Sequence, residues 1–350
     1  AKLLDGQADY LIITHAALAG SLQPLVNYHT SQGRLVKVVD VADIYDQYSH
    51  GVLDAQAIDD YLAKAVPTLG VRWVLLAGAD TVDYRNYSGL GAYSLVPSLY
   101  GPTGTRITYT PLDPAYADVN GDGTPDVALG RFPARTPAEL TLMIAKTLAY
   151  ADTLPQRTAI LASDANDGID YAAEVDTLAD QLVGWTISRA DLDRQGVDAA
   201  RAALIDAMSS GVGLVFYLGH SGSSDWTESG LFDSYAAAAL TGPSSVVVQF
   251  GCWNTYYVAP DADTLAHALL INANGGAAAV LGSVALTNSS NDTAFARLLS
   301  EQLASGTITI GEAVVAAKKA LQRTSAGDTS DVQLGWTILG DPAIVAGGQA

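Results

Sequence analysis

The chain has a single cysteine, Cys252, among its 350 residues, and five histidines. Cys252 follows the run Ser245-Val246-Val247-Val248-Gln249-Phe250-Gly251, and His220 follows Leu214-Val215-Phe216-Tyr217-Leu218-Gly219. Each run is apolar, ends in glycine and then presents a reactive side chain. A thiol beside an imidazole is a nucleophile with its base: the imidazole depresses the thiol pKa and carries the proton. Most lone cysteines are inert core. Cys252 departs from that pattern because Trp253, Asn254, Thr255 and Tyr256 signal a loop just past a strand end, and the matching strand end carries His220. His15 follows the first strand with no nucleophile candidate in its half. His29 and His50 sit in polar helix or loop contexts, and His267 lies among apolar neighbours in a helix.

A third group could orient the imidazole. Asp164 ends the run Thr158 to Ser163 and so belongs to the same sheet edge, with Asp167 in the same loop as competitor. An Asx turn or helix cap ahead of Asp170 accounts for such an acid as well as the orienting role does. A rival nucleophile overlaps the histidine: Gly219-His220-Ser221-Gly222-Ser223 approaches the G-x-S-x-G elbow, with Ser221 as nucleophile and His267 as base. The fifth position is Ser223 rather than glycine, and Ser224 to Gly230 reads as a loop where the elbow needs a helix.

Oxygen donors alternate through Asp118, Asn120, Asp122, Thr124 and Asp126, with Gly123 for the sharp turn. This is the spacing of a calcium loop, Thr124 giving its carbonyl. Leu129 stands where an EF-hand has its glutamate, so the pattern predicts a compact loop feeding a strand and a structural calcium ion.

The elements that must position these groups alternate between strand and helix. Tyr10 to Thr14, Arg34 to Val39, Val71 to Gly78 and Val127 to Gly130 read as strands in the first half. Helices are predicted over Ser21 to Gln32, Ala55 to Val66 (ending near Pro67 and Gly70) and Thr136 to Ala151. Ala79 to Asp113 has no period and reads as a long surface excursion. Pro155 marks a boundary between residues 1–153 and 154–350. The second half repeats the rhythm: strands over Thr158 to Ser163, Thr186 to Ser188 and Gly276 to Ser283 join those before His220 and Cys252. Its helices are predicted over Asp170 to Val183, Val197 to Ser209, Asp261 to Ala273, Asp292 to Leu303 and Glu312 to Arg323. This alternation implies an α/β fold with a parallel sheet covered on both faces, its site beyond the carboxyl ends of the strands.

Composition bounds the function. The chain is 49% hydrophobic, 16% charged and carries a net charge of −19. That excludes nucleic acid and anionic membranes as partners and suits a calcium-rich extracellular setting. One cysteine excludes an internal disulfide and a cysteine-based zinc site. No apolar run is long enough to span a bilayer. No signal peptide opens the chain at Ala1, so the expectation is a mature form, secreted or on the cell surface.

The segments YLIIT (Tyr10 to Thr14), VLLAGAD (Val74 to Asp80), DVNGDGTPDVALGRFPA (Asp118 to Ala134), YLGHSG (Tyr217 to Gly222), FGCWNT (Phe250 to Thr255), GGAAAVLGS (Gly275 to Ser283) and LGDPAI (Leu339 to Ile344) occur in an order that resembles the catalytic domain of gingipain-like cysteine peptidases, family C25 of the caspase-like clan. The resemblance implies two caspase-like subdomains, three-layered, with catalysis in the second. It implies Cys252 as nucleophile, His220 as general acid and base, and an orienting acid that falls on Asp164. It also implies an oxyanion hole from the main-chain N–H groups of Cys252 and Ser221, where the family often has glycine after the histidine. Gingipains carry a tryptophan in the loop after the Gly276 to Ser283 strand. Leu286 to Asn291 has no aromatic residue, so a preference for Arg or Lys at P1 is not implied. The expectation is a secreted, monomeric, calcium-binding cysteine endopeptidase acting on protein or peptide substrates. The alternatives are a catalytically weak binding or processing module of a larger surface protein, and a peptidase whose acyl-enzyme passes to an amine.

Overall fold

The computed structural model describes residues 3–152, 157–261 and 264–347. Short runs of Val, Ile, Leu and Ala become ten strands: β1 Tyr10–Thr14, β2 Val36–Asp40, β3 Trp73–Ala77, β4 Ala128–Phe132, β5 Thr158–Ser163, β6 Thr186–Asp191, β7 Leu214–Leu218, β8 Ser245–Phe250, β9 Ala277–Ser283 and β10 Trp336–Leu339. They form one sheet in the order β2-β1-β3-β4-β10-β9-β8-β7-β5-β6. Neighbours are parallel except β9 and β10, which are antiparallel. The fold is a mostly parallel α/β sheet flanked by helices, the caspase-like arrangement.

Interior strands are buried on both faces, as a sheet covered on two sides requires. The edge strands β2 and β6 are partly exposed and carry the polar residues Lys37 and Arg189. Alternate residues feed different cores. Tyr10, Ile12, Leu75, Val215, Tyr217 and Val247 share one core that runs beneath both halves. Leu11, Ile13 and Leu76 pack into a second core, and Leu214, Phe216 and Val248 into a third.

Several predicted elements shift. Pro67 lies inside the helix Ala55–Leu69, which ends at Gly70 with φ +83°. The sixth strand reaches Asp191, three residues beyond its predicted end. The helix predicted over Asp261 to Ala273 is Leu265–Ile271, capped by Thr264, and its predicted second and third residues lie outside the described residues. The excursion after β3 is not all surface: Tyr100–Thr103 pairs with Ile107–Pro111, and Asp80, Ser98 and Asp113 are buried. Prolines and an irregular register hid that hairpin's alternation.

The boundary placed at Pro155 lies outside the described residues. The sheet itself continues across the two halves. β10, which periodicity did not reveal, sits between β4 and β9 and joins them.

Candidate active site

The site is built at the carboxyl ends of three adjacent strands. β7 lies between β5 and β8, paired in register with both. Asp164 follows β5, His220 follows β7 after one residue, and Cys252 follows β8 after one residue. Main-chain bonds lock the three ends together: Gly219 N–H donates to Phe250 O at 3.1 Å, and Asp164 N–H to Leu218 O at 3.1 Å. The glycines ahead of the reactive residues are steric necessities. A Cβ on Gly219 would overlap the Asp164 side chain, and one on Gly251 would overlap Ser221 Oγ and Gly219 O.

His220 is exposed, and its Nε2 lies 2.7 Å from Asp167 Oδ2. The hydrogen bond from His220 holds the Asp167 carboxyl below its ordinary pKa. Tyr171 Oη lies 3.5 Å from the same nitrogen. Asp164 serves the backbone: its Oδ2 accepts the His220 N–H at 2.9 Å and its Oδ1 accepts the Ala165 N–H at 2.8 Å. The carboxylate on the ring is therefore Asp167, and the carboxylate on the main chain is Asp164.

Past Cys252 the chain turns sharply. Trp253 is left-handed at φ +59°, and its N–H donates to Ala285 O at 3.0 Å. Asn254, fully buried, donates through Nδ2 to Ser221 Oγ, Gln249 O and Gly251 O, and accepts from Ser283 N–H at 3.0 Å. Gln249 in turn donates to Asn254 O and accepts from Trp226 Nε1 at 2.6 Å. Among the described residues, no protein acceptor takes the N–H of Cys252 or of Ser221. The Cys252 thiol is partly exposed. A cleft of about 670 Å³ opens over it, lined by His220, Ser221, Cys252, Trp253 and the acids Asp167 and Glu228.

Residues 3–346 match peptidase family C25. This chain belongs to that family. The family is one of cysteine peptidases, so the protein is a hydrolase. Its fold is that of the gingipains. The complex of Porphyromonas gingivalis RgpB pro- and mature domains aligns with TM-score 0.79 and 19% identity, over 96% of this chain and 79% of that one. The Arg-specific cysteine proteinase gingipain R aligns with TM-score 0.80 and 19% identity, over 98% and 78%. A third structure, of a protease, aligns with TM-score 0.75 and 15% identity, over 96% and 78%. No curated protein matches the sequence significantly.

In this C25 chain the serine elbow is absent. After Ser221 the backbone enters a small hairpin, Asp225–Trp226 against Phe232–Asp233, rather than a helix. Ser221 Oγ donates to Cys252 O at 2.8 Å and accepts from Asn254, so its polar partners are not an imidazole. His267 is buried in the helix Leu265–Ile271. No helix of the described residues is long and apolar enough to cross a membrane.

The acidic loop lies apart from the cleft and is held by its own amides. Asp118 accepts from Gly121, Asp122 and Gly123 N–H, Asn120 from Asp122 N–H, and Asp122 from the N–H and hydroxyl of Thr124. Asp126 accepts from Val119 N–H and Asn120 Nδ2, with Lys319 Nζ at 3.9 Å. Among the described residues, no three His, Cys, Asp or Glu side chains converge as a ligand set. The loop thus has the acceptors of a calcium site without their convergence.

Sequence reasoning passed over Asn254, Thr287 and Asp292. Asn254 stood in the FGCWNT segment and could have been singled out there. Thr287 and Asp292 carried no signal, because only the fold brings them to Cys252.

Proposed function

We propose that this peptidase is a secreted endopeptidase working through Cys252 and His220, with Asp167 orienting the imidazole. The observation that carries this reading is the in-register pairing of β7 with β8, which sets the two residues side by side at one sheet edge. Asp167 occupies Nε2 of the imidazole, and His220 and Cys252 line the same cleft. Cys252 Sγ, as thiolate, attacks a peptide carbonyl carbon, and the π electrons move to the carbonyl oxygen. The N–H groups of Cys252 and Ser221 hold that oxyanion. Collapse breaks the C–N bond, and His220 delivers its proton to the leaving nitrogen. Water then attacks the thioester while His220 takes its proton, and the thiolate departs.

The test is cleavage of a diverse peptide library by the intact chain and by Cys252→Ala. Cleavage at internal bonds that the variant has lost supports the reading. Cleavage kept by Cys252→Ala, or none by the parent chain, overturns it, and the latter outcome favours a binding or processing module. The acidic composition supports an extracellular setting, checked by fractionating expressing cells. Calcium at the Asp118–Asp126 loop is a separate proposal, supported by the alternating oxygen donors.

A further inference from the structure

A protic group other than the imidazole stands at the thiol. Thr287 Oγ1 lies 3.8 Å from Cys252 Sγ, within hydrogen-bond range for sulfur. The same hydroxyl lies 2.5 Å from Asp292 Oδ2. Asp292 is the fourth residue of the helix Ser289–Leu303 and is 4% exposed. Cys252, Thr287, Asp292, His220 and Tyr171 line one cavity of about 60 Å³ behind the nucleophile. The cleavage steps above leave this buried acid without a task, although a neutral hydroxyl links it to the reacting sulfur.

We propose that Thr287 and Asp292 form a proton relay for the nucleophile: the Cys252 thiol proton passes to Thr287 Oγ1 as the Thr287 hydroxyl proton passes to Asp292 Oδ2. The products are a thiolate and a neutral carboxylic acid, with net charge and proton count unchanged. In the product the threonine hydroxyl donates to the thiolate and accepts from the acid. The relay rests on Cys252 being the nucleophile, and it supplies the thiolate without using His220.

The surroundings of Asp292 favour the transfer. An ordinary carboxyl lies about four to five pKa units below a thiol, which would forbid it. Burial pushes Asp292 up to about 7, opposed by the Thr287 hydrogen bond and assisted by the charge of Asp331 on the helix Ser330–Gly335. Tyr171, on the helix Tyr171–Gln181, is itself pushed up to about 12, first by burial, and stays neutral. The Trp336 indole faces Asp292 from β10, and His220 faces the same cavity.

The experiment follows iodoacetamide alkylation of Cys252 against pH in His220→Ala, where the imidazole is gone. The relay predicts two steps, the first near the Asp292 titration and the second at higher pH, where the proton left on the pair departs. Adding Thr287→Val or Asp292→Asn should leave only the second step and lower the rate near neutral pH several-fold. Adding Thr287→Ser, which keeps the hydroxyl, should keep both steps. A single step in His220→Ala that Thr287→Val leaves unchanged overturns the relay. Circular dichroism of each variant separates loss of fold from loss of relay. Alkylation reads the sulfur whether or not the chain cleaves peptides, so failure here is distinct from failure of the peptidase reading.

Discussion

His220 stands between two carboxylates that do different work: Asp167 Oδ2 meets its Nε2 at 2.7 Å, while Asp164 Oδ2 accepts its main-chain N–H at 2.9 Å. Asp167→Asn should therefore lower kcat roughly tenfold with little change in stability, a part of the factor that a general base supplies. Asp164→Asn should act chiefly on folding. Steady-state kinetics beside urea unfolding of both variants separates the two effects. A larger kcat loss in Asp164→Asn would return the orienting role to Asp164. The His220 hydrogen bond holds the Asp167 carboxyl below the usual carboxylate range, so Asp167 stays ionised at neutral pH.

Close approach at the strand ends gives a second expectation. Gly251→Ala places a methyl against Ser221 Oγ and Gly219 O, which are fixed by the Asn254 and β7 hydrogen bonds. Overpacking of this kind costs about 1–3 kcal/mol. The displaced atoms belong to the cleft, so peptide cleavage should fall further than the stability loss alone would explain. Unchanged activity with unchanged urea midpoint would show that the strand ends can part at no cost.

A buried ion pair ties the first half to the loop after Cys252. Arg131 donates to both oxygens of Asp113 at 2.6 and 2.7 Å, and Tyr257 Oη donates to Asp113 at 2.8 Å. Asp113→Ala leaves the guanidinium buried without its counter-charge and should cost about 3–5 kcal/mol in urea unfolding. Tyr257→Phe removes the hydroxyl that meets Asp113 and Ser98 and should cost about 1–2 kcal/mol. A loss of similar size in the two variants would show that the pair is not the anchor.

Asp292 makes stability depend on pH. Its folded pKa is raised, first by burial, from the ordinary carboxyl value of 3.8 to about 7. Between those values the folded chain keeps a proton that the unfolded chain releases, so stability falls as pH rises through this window. The full effect is on the order of 4 kcal/mol, from three units at about 1.4 each. Asp292→Asn should flatten the urea-unfolding profile between pH 4 and pH 7 and be the more stable chain at pH 8. A slope that survives the substitution would assign the pH dependence to other groups.

Calcium gives the last expectation. If the Asp118–Asp126 loop closes on the ion, millimolar calcium should raise Tm and EDTA should lower it. An ion bound only by the folded chain stabilises by about 2.7 kcal/mol at a hundredfold excess over Kd. Asp122→Ala should abolish the response while leaving cleavage at low temperature intact. Identical melting with calcium and with EDTA would leave an acidic turn closed by its own amides.

The sequence by itself determined the parts of this protein that depend on local order. Apolar runs ending in glycine located β7, β8 and the two residues after them, because a buried strand and its exit are written in consecutive side chains. The unbroken segments from YLIIT to LGDPAI carried the family. The tertiary structure decided what depends on partners distant in the chain. β10 is four residues long and is a strand only because β4 and β9 flank it. The sequence favoured Asp164 over its loop neighbour Asp167 as the orienting acid, and the turn after β5 aims Asp164 at the His220 main chain and Asp167 at its ring. Thr287 and Asp292 are polar residues of an ordinary loop and helix start, 35 and 40 positions beyond Cys252. Burial raises the Asp292 carboxyl pKa and the fold sets Thr287 between that acid and the sulfur, because desolvation of a carboxyl is set by what the fold packs around it and leaves no trace in residue spacing.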